Sequence, residues 1–231
     1  MKIAGATALV TGANRGLGRH LAAELIARGA VVYAGSRNPN AVDLPGAIPV
    51  ALDITDAGSV AAAAARLADV NLLINNAGSS TGADLLTGDP ERIRLDMNTH
   101  YFGTLEVVRA FAPALIANTG SVLNILSALS WVAFPQTGAY SAAKSAQWAL
   151  TNALRTQLAD QGVRVAGLHV GYMDTDMAAA VTAPKADPAD IARIAIDGLE
   201  ADAYEILADE TAQQVRAGLA GGVAALYPYL P

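Results

Sequence analysis

Cysteine is missing from the 231 residues, and charge is scarce: Asp, Glu, Lys and Arg make up 16% of the chain and aromatic residues 5%. Without cysteine there is no disulfide and no thiolate-held zinc, which suits a reducing compartment, so a cytoplasmic location is expected. Basic residues number 15 against 21 acidic ones, and no run of Lys and Arg occurs. A nucleic-acid partner is therefore not expected, because phosphate binding at that scale needs a clustered positive face. The sequence shows no apolar leader at Met1–Gly5. Two stretches lack charge, one between Arg109 and Lys144 and one from Ala217 to Pro231. Pro113, Gly120 and Pro135 break the first, and the second is short and interrupted by Gly221, Gly222 and Pro228. Neither reads as a membrane span; both read as buried or subunit-facing protein.

Hydrophobic residues are abundant, at 53%, enough for a large core in one domain over residues 1–231. Apolar β-type runs at Ala6–Val10, Val31–Ala34, Ile48–Leu52, Leu72–Ile74, Val122–Leu126 and Val163–His169 alternate with helix-length segments. Those segments are Gly16–Arg28, Ala57–Leu67, Pro90–Ala117 (with a kink expected at Pro113) and Ala139–Gln161. A helix at Asp190–Leu199, a short strand at Tyr204–Leu207 and a helix at Glu210–Leu219 follow. Nearly continuous apolar strands separated by helices predict an α/β fold, a Rossmann-type doubly wound parallel sheet covered on both faces.

The first strand runs into Gly12-Ala13-Asn14-Arg15-Gly16-Leu17-Gly18 and then a helix. Such glycines permit a sharp turn and let a pyrophosphate reach backbone amides at the helix start. The second strand ends in Ser36-Arg37, where a hydroxyl and a guanidinium suit a 2′-phosphate, so NADP(H) is expected over NAD(H). Asp53-Ile54 and Asn75-Asn76-Ala77-Gly78 follow the third and fourth strands, at edges where ligands bind in such sheets. Asp53 suits the adenine amino group and Ile54 the ring face; capping and sheet bracing are the structural alternatives.

Tyr140 and Lys144 are four residues apart on a helix, so phenol and ammonium share one face. A tyrosine with a pKa of about 10 is lowered by a nearby cation, which makes Tyr140 a candidate general acid and base. Ser127, thirteen residues earlier, lies on the same sheet edge and can align a carbonyl, with Ser130 as its rival. Trp131, Phe134, Tyr172, Met173 and Met177 flank these positions as candidate pocket residues. His20 reads as helix surface and His169 as a strand end, while His100 stands near enough to Asn98 for a near-site role. Asp174 and Asp176 read as capping residues, and no metal is expected.

This ordered set, from Gly12, Gly16 and Gly18 through Asp53, Asn75-Asn76-Ala77-Gly78, Asn98, Ser127, Tyr140 and Lys144 to Gly171 and Thr175, resembles the short-chain dehydrogenase/reductase family over nearly the whole chain. The resemblance implies an oxidoreductase acting on a small carbonyl or alcohol. Tyr140 is its acid/base and Lys144 lowers the tyrosine pKa and binds the nicotinamide ribose. Ser127 orients the carbonyl, Asn98 positions Lys144 through water, and Thr175 meets the carboxamide. It also implies a homodimer or homotetramer. Val170-Gly171 stands where the family has Pro-Gly, and the short region after Thr175 implies a small lid over an open pocket. Two alternatives are a cofactor-independent lyase of the same fold, similar to halohydrin dehalogenases, and a non-catalytic NADP(H)-sensing regulator. The family's Lys144 and the intact glycine loop weigh against the first, and the Tyr/Lys pair against the second.

Overall fold

The computed structural model describes residues 1–230. Its strands are β1 Thr7–Thr11, β2 Val31–Ser36, β3 Ala47–Ala51, β4 Leu72–Asn75, β5 Ser121–Ile125, β6 Arg164–His169 and β7 Glu205–Leu207. They form one parallel sheet in the order β3-β2-β1-β4-β5-β6-β7. The helices are α1 Gly16–Ala27, α2 Ala57–Arg66, α3 Pro90–Met97, α4 Thr104–Ala117, α5 Gly138–Ala159, α6 Pro188–Glu200, α7 Glu210–Gly218 and α8 Gly222–Leu226.

Side chains alternate along each central strand, and here both faces are apolar. Val10, Ile74, Leu123 and Leu168 face one core with Leu17, Leu21 and Leu25 of α1 and Ile191, Ile196 and Leu199 of α6. Their neighbours Leu9, Leu73, Val122 and Val165 face the other core, with Val60 of α2, Val107, Phe111 and Leu115 of α4, and Leu150, Leu154 and Leu158 of α5. Full burial of Phe111 stabilises by roughly 1.5–3 kcal/mol. The strand order reverses between β1 and β4, which opens a crevice above their carboxyl ends, where ligands bind in doubly wound sheets.

The segment expected as one helix over Pro90–Ala117 is divided. A π-helical turn, Asn98–Gly103, joins α3 to α4, while Pro113 lies inside α4. Such turns widen the helix by one residue and concentrate at functional sites. The expected buried or subunit-facing tail contains α8, and Val223, Tyr229 and Leu230 are exposed in the single chain. No helix among the described residues is long and apolar enough to cross a membrane.

Candidate active site

Gly12 has φ +68°, in the left-handed region that favours glycine. A Cβ on it would stand 2.9 Å from the Ala77 Cα. At Gly18 a Cβ would stand 2.3 Å from the Gly12 carbonyl oxygen and 2.4 Å from Asn76 Nδ2, so β1, β4 and α1 close up there only around a hydrogen. Asn76 fixes this arrangement: its Nδ2 donates to the carbonyls of Thr11 (2.9 Å) and Gly12 (3.2 Å). The amides of Asn76 and Ala77 both donate to Thr11 Oγ1 at 3.0 Å. Arg15 precedes α1 in extended conformation, and no side chain caps the helix and no acidic residue occupies its first turn. The amide end of α1, with Leu17 buried behind it and Asn14 half-buried beside it, is thus available to an anion. Thr175 lies across the loop, its Cγ2 3.6 Å from where a Gly16 Cβ would be. Arg15 meets Asp176 at 2.7 Å beside it.

Ser36 is buried at the end of β2 and Arg37 is exposed next to it. Burial raises the Asp53 carboxyl, but bonds from the Thr55 hydroxyl and amide, with the Arg37 charge, outweigh this and hold it below the usual carboxylate range. Both Thr55 bonds fall on Oδ1, at 2.7 and 2.9 Å. Ile54 is buried beside it. Asn75 differs from expectation: its Nδ2 donates to Asn124 Oδ1 at 2.8 Å, directly across the β4–β5 pair. Asn124 donates onward to Thr151 at 2.9 Å. The Asn75 side chain therefore braces the sheet and does not face a ligand. Gly171 is likewise committed, its amide donating to Asp209 Oδ2 at 2.7 Å and so seating α7.

At the other end of the crevice, Tyr140 occupies the first turn of α5 and Lys144 the next. Lys144 Nζ stands 5.7 Å from the Tyr140 ring centroid. Lys144 is buried, and its ammonium donates to the Ile125 carbonyl at 2.7 Å and to Gln147 Oε1 at 2.9 Å. Gln147 in turn donates to Thr104 Oγ1 at 2.9 Å. Burial pulls the Lys144 pKa down to about 7. The phenol of Tyr140 moves the opposite way from the expectation. Burial pushes it up, the nearby Ser127 hydroxyl opposes this, and Asp96 and Tyr172 push further upward. Desolvation penalises both charged forms at once, and here it outweighs the attraction of phenolate to ammonium.

Ser127 is buried at the foot of a short 3-10 turn, Ala128–Ser130. Its Oγ accepts from the Leu129 amide at 3.1 Å and reaches the Val170 carbonyl at 3.4 Å. Ser130 points back, accepting from the Ser127 amide at 3.2 Å, which leaves it a capping residue. Asn98 is not brought to the site: it is exposed and lies with Ile54, Thr55 and Phe102 on the outer side. His100, on the same π turn, is buried instead. Its ring stands edge-on to Tyr140, with centroids 5.2 Å apart. Asp96, one turn earlier and also buried, holds the Ser79 and Thr81 hydroxyls at 2.8 Å. His100, expected near the site, stands against Tyr140; Asp96 and Gln147 are the site residues that motif reading passes over.

Among the pocket candidates, Tyr172 is close enough to influence Tyr140, and Phe134, Tyr172 and Met177 are exposed. Trp131 is occupied elsewhere, stacked on His169 at 3.7 Å with the Arg216 guanidinium 5.8 Å from its ring. Met173 packs against the α1–α6 core. These two are framework residues.

A doubly wound sheet with a glycine-cradled anion seat at one end of its crevice, and a Tyr, Lys and Ser cluster at the other, defines a dinucleotide-binding oxidoreductase fold. The chain belongs to the short chain dehydrogenase family, whose pattern matches residues 6–186. It is 41% identical to a short chain dehydrogenase from Burkholderia cenocepacia J2315 solved in complex with NADP. That likeness covers 100% of both chains with a TM-score of 0.96. It is also 32% identical to carbonyl reductase (NADPH) 2 of Sus scrofa, over 79% of this chain and 78% of that protein. To the dehydrogenase/reductase SDR family member 7B of Bos taurus it is again 32% identical, over 77% of this chain; the match spans only 61% of that longer protein.

Proposed function

We propose that the chain is an NADP(H)-dependent reductase of small carbonyl compounds, and an alcohol dehydrogenase in reverse, with Tyr140 as the general acid and base. The observation that carries this reading is the convergence of Ser127, Tyr140 and Lys144 on the sheet edge that also bears the glycine loop. The residues fit a dinucleotide: Gly12 and Gly18 leave no room for a Cβ, and the amides of α1 lack a capping side chain.

Asn14, Arg15, Gly16 and Leu17 would hold the pyrophosphate. Ser36 and Arg37 would hold a 2′-phosphate, which a guanidinium binds through charge-assisted bonds. Asp53, whose Oδ1 takes both Thr55 bonds, would meet the adenine amino group through Oδ2, with Ile54 toward the ring. Ala77 and Gly78 would lie toward the ribose and Thr175 toward the carboxamide. The NADP complex of the Burkholderia cenocepacia protein and the NADPH-dependent reductase of Sus scrofa support this preference. When bound, the nicotinamide supplies or accepts the hydride exchanged with the carbonyl carbon.

The chain's own residues handle the proton. Tyr140, kept neutral by burial, gives its phenolic proton to the carbonyl oxygen during reduction, while the Ser127 hydroxyl donates a hydrogen bond to the same oxygen. Lys144 would hold the ribose hydroxyls and, when protonated, stabilises the phenolate that results. Phe134, Tyr172 and Met177, exposed in the chain, would rim the substrate pocket. Exposed Phe102 and Ile116 around α4, with the exposed tail, support a homodimer or homotetramer.

The test is a fluorescence titration with NADPH and NADH, followed by oxidation of NADPH with a panel of ketones and aldehydes. NADPH binding tighter than NADH, with carbonyl-dependent oxidation, is expected. Binding without turnover on any carbonyl would favour a nucleotide sensor, and no binding of either would favour a cofactor-independent lyase.

A further inference from the structure

We propose that His169 is a positioning residue of the reaction, its imidazole gripping both ends of the 3-10 turn Ala128–Ser130 and so holding the Ser127 hydroxyl where the substrate carbonyl is to bind. The inference rests on the reading of Ser127 and Tyr140 given above and adds to it a residue from β6.

Ser127 opens the turn and Trp131 closes it. On either side of Ser127 the backbone is fixed to β6: the Leu126 amide donates to the Leu168 carbonyl at 2.7 Å and the Ala128 amide to the Val170 carbonyl at 3.0 Å. The Ser127 carbonyl takes two donors, the Ser130 amide at 2.9 Å and His169 Nδ1 at 3.1 Å. A carbonyl oxygen only accepts, so Nδ1 carries the proton. Burial pulls the imidazole pKa down to about 4, so at neutral pH the ring holds one proton and commits it here. Both lone pairs of the Ser127 carbonyl are then filled.

At the other end of the turn the same imidazole lies flat on Trp131, with centroids 3.7 Å apart and planes 13° from parallel. One side chain thus touches both the first and the last residue of the segment. Trp131 has a further hold from α7, where the Arg216 guanidinium stands 5.8 Å from the indole centroid and pairs with Glu205 of β7 at 2.9 Å. Ser145 donates to the Ser130 carbonyl at 2.8 Å, which ties the turn to the helix bearing Tyr140 and Lys144. His169 is itself 1% exposed, so it acts through the turn and not on the substrate.

The Ser127 hydroxyl has only a long bond of its own to give, 3.4 Å to the Val170 carbonyl. It is therefore free to turn to a substrate, and its place is set by the backbone that carries it. A donor aimed at a carbonyl oxygen stabilises the transition state through fixed placement, and a shift of about 1 Å can cost about 100-fold in rate.

The experiment separates the two grips. His169→Phe keeps a ring against Trp131 and removes the donor, whereas His169→Asn keeps a donor close to the Nδ1 position and removes the ring. His169→Phe is also made together with Ser127→Ala. Single-turnover and steady-state NADPH oxidation, NADPH affinity and thermal melting are measured on each variant. His169→Phe is expected to lose about tenfold in kcat with KM and NADPH affinity little changed, and His169→Asn to recover most of that rate. Ser127→Ala alone is expected to lose about 100-fold. Adding His169→Phe to it should cost no further rate, because a residue that works through the hydroxyl then has nothing to position. Should His169→Phe fail to fold, His169→Leu takes its place. A variant without the donor that turns over like wild type would overturn the proposal. So would an Asn variant as slow as the Phe one, or a tenfold loss that persists beside Ser127→Ala. Ser127→Ala at the wild-type rate would instead overturn the underlying reading of the site.

Discussion

Lys144→Met should change how stability depends on pH, and in a direction fixed by the site. In the folded chain burial lowers the Lys144 pKa from 10.5 to about 7. Below pH 7 the amine is charged in both folded and unfolded states, so it adds no pH dependence. Between about 7 and 10.5 the unfolded chain holds a proton that the folded one has released, so stability rises with pH. Above 10.5 the dependence ends. At about 1.4 kcal/mol per pKa unit, the whole interval is worth at most about 5 kcal/mol. Its bonds to Ile125 and Gln147 favour the ammonium, so this figure is the upper bound on the change. The assay is urea unfolding of the cofactor-free protein and the Met variant at several pH values from 6 to 10. Groups common to both proteins cancel in the difference, so wild type should gain on the variant above about pH 7 and not below it. A flat difference would refute the argument that desolvation governs Lys144.

Gly18→Ala sets a Cβ against the Gly12 carbonyl and Asn76. A cost of about 1–3 kcal/mol in stability is expected, together with at least tenfold weaker NADPH binding. Unchanged melting and titration curves would show that the loop has room to spare. Arg37→Glu alters an exposed side chain and should leave stability within about 0.5 kcal/mol. NADPH affinity should fall by at least tenfold relative to NADH, and an unaltered ratio would move the 2′-phosphate contact to another residue.

The sheet was legible because its strands are apolar on both faces: Leu9 and Val10, or Leu73 and Ile74, point to opposite cores and leave no polar alternation to misread. Tyr140 and Lys144 were legible because four residues make about one helical turn. Asn98 and His100 show where motif reading stops. Residues two apart on a helical turn, α or π, point to roughly opposite sides, so only one of them can face the crevice. The signal lies downstream, since stepping back in fours from buried Val108 gives Thr104, His100 and Asp96, all buried. Gln147 carried a similar signal, three residues beyond Lys144 on its face. Asn124, a polar residue inside an otherwise apolar run of β5, announced a partner, but which of Asn75 and Asn76 reached it depended on the β4–β5 register. The upward shift of Tyr140 was not legible at all, because burial of a side chain at a crevice floor is a property of packing.

The central claim is that Tyr140 exchanges the proton. Tyr140→Phe keeps the ring beside His100 and removes only the hydroxyl, so NADPH should bind as it does to wild type. Carbonyl-dependent NADPH oxidation should fall by at least 100-fold. A Phe variant that binds NADPH and turns over at the wild-type rate would contradict the account.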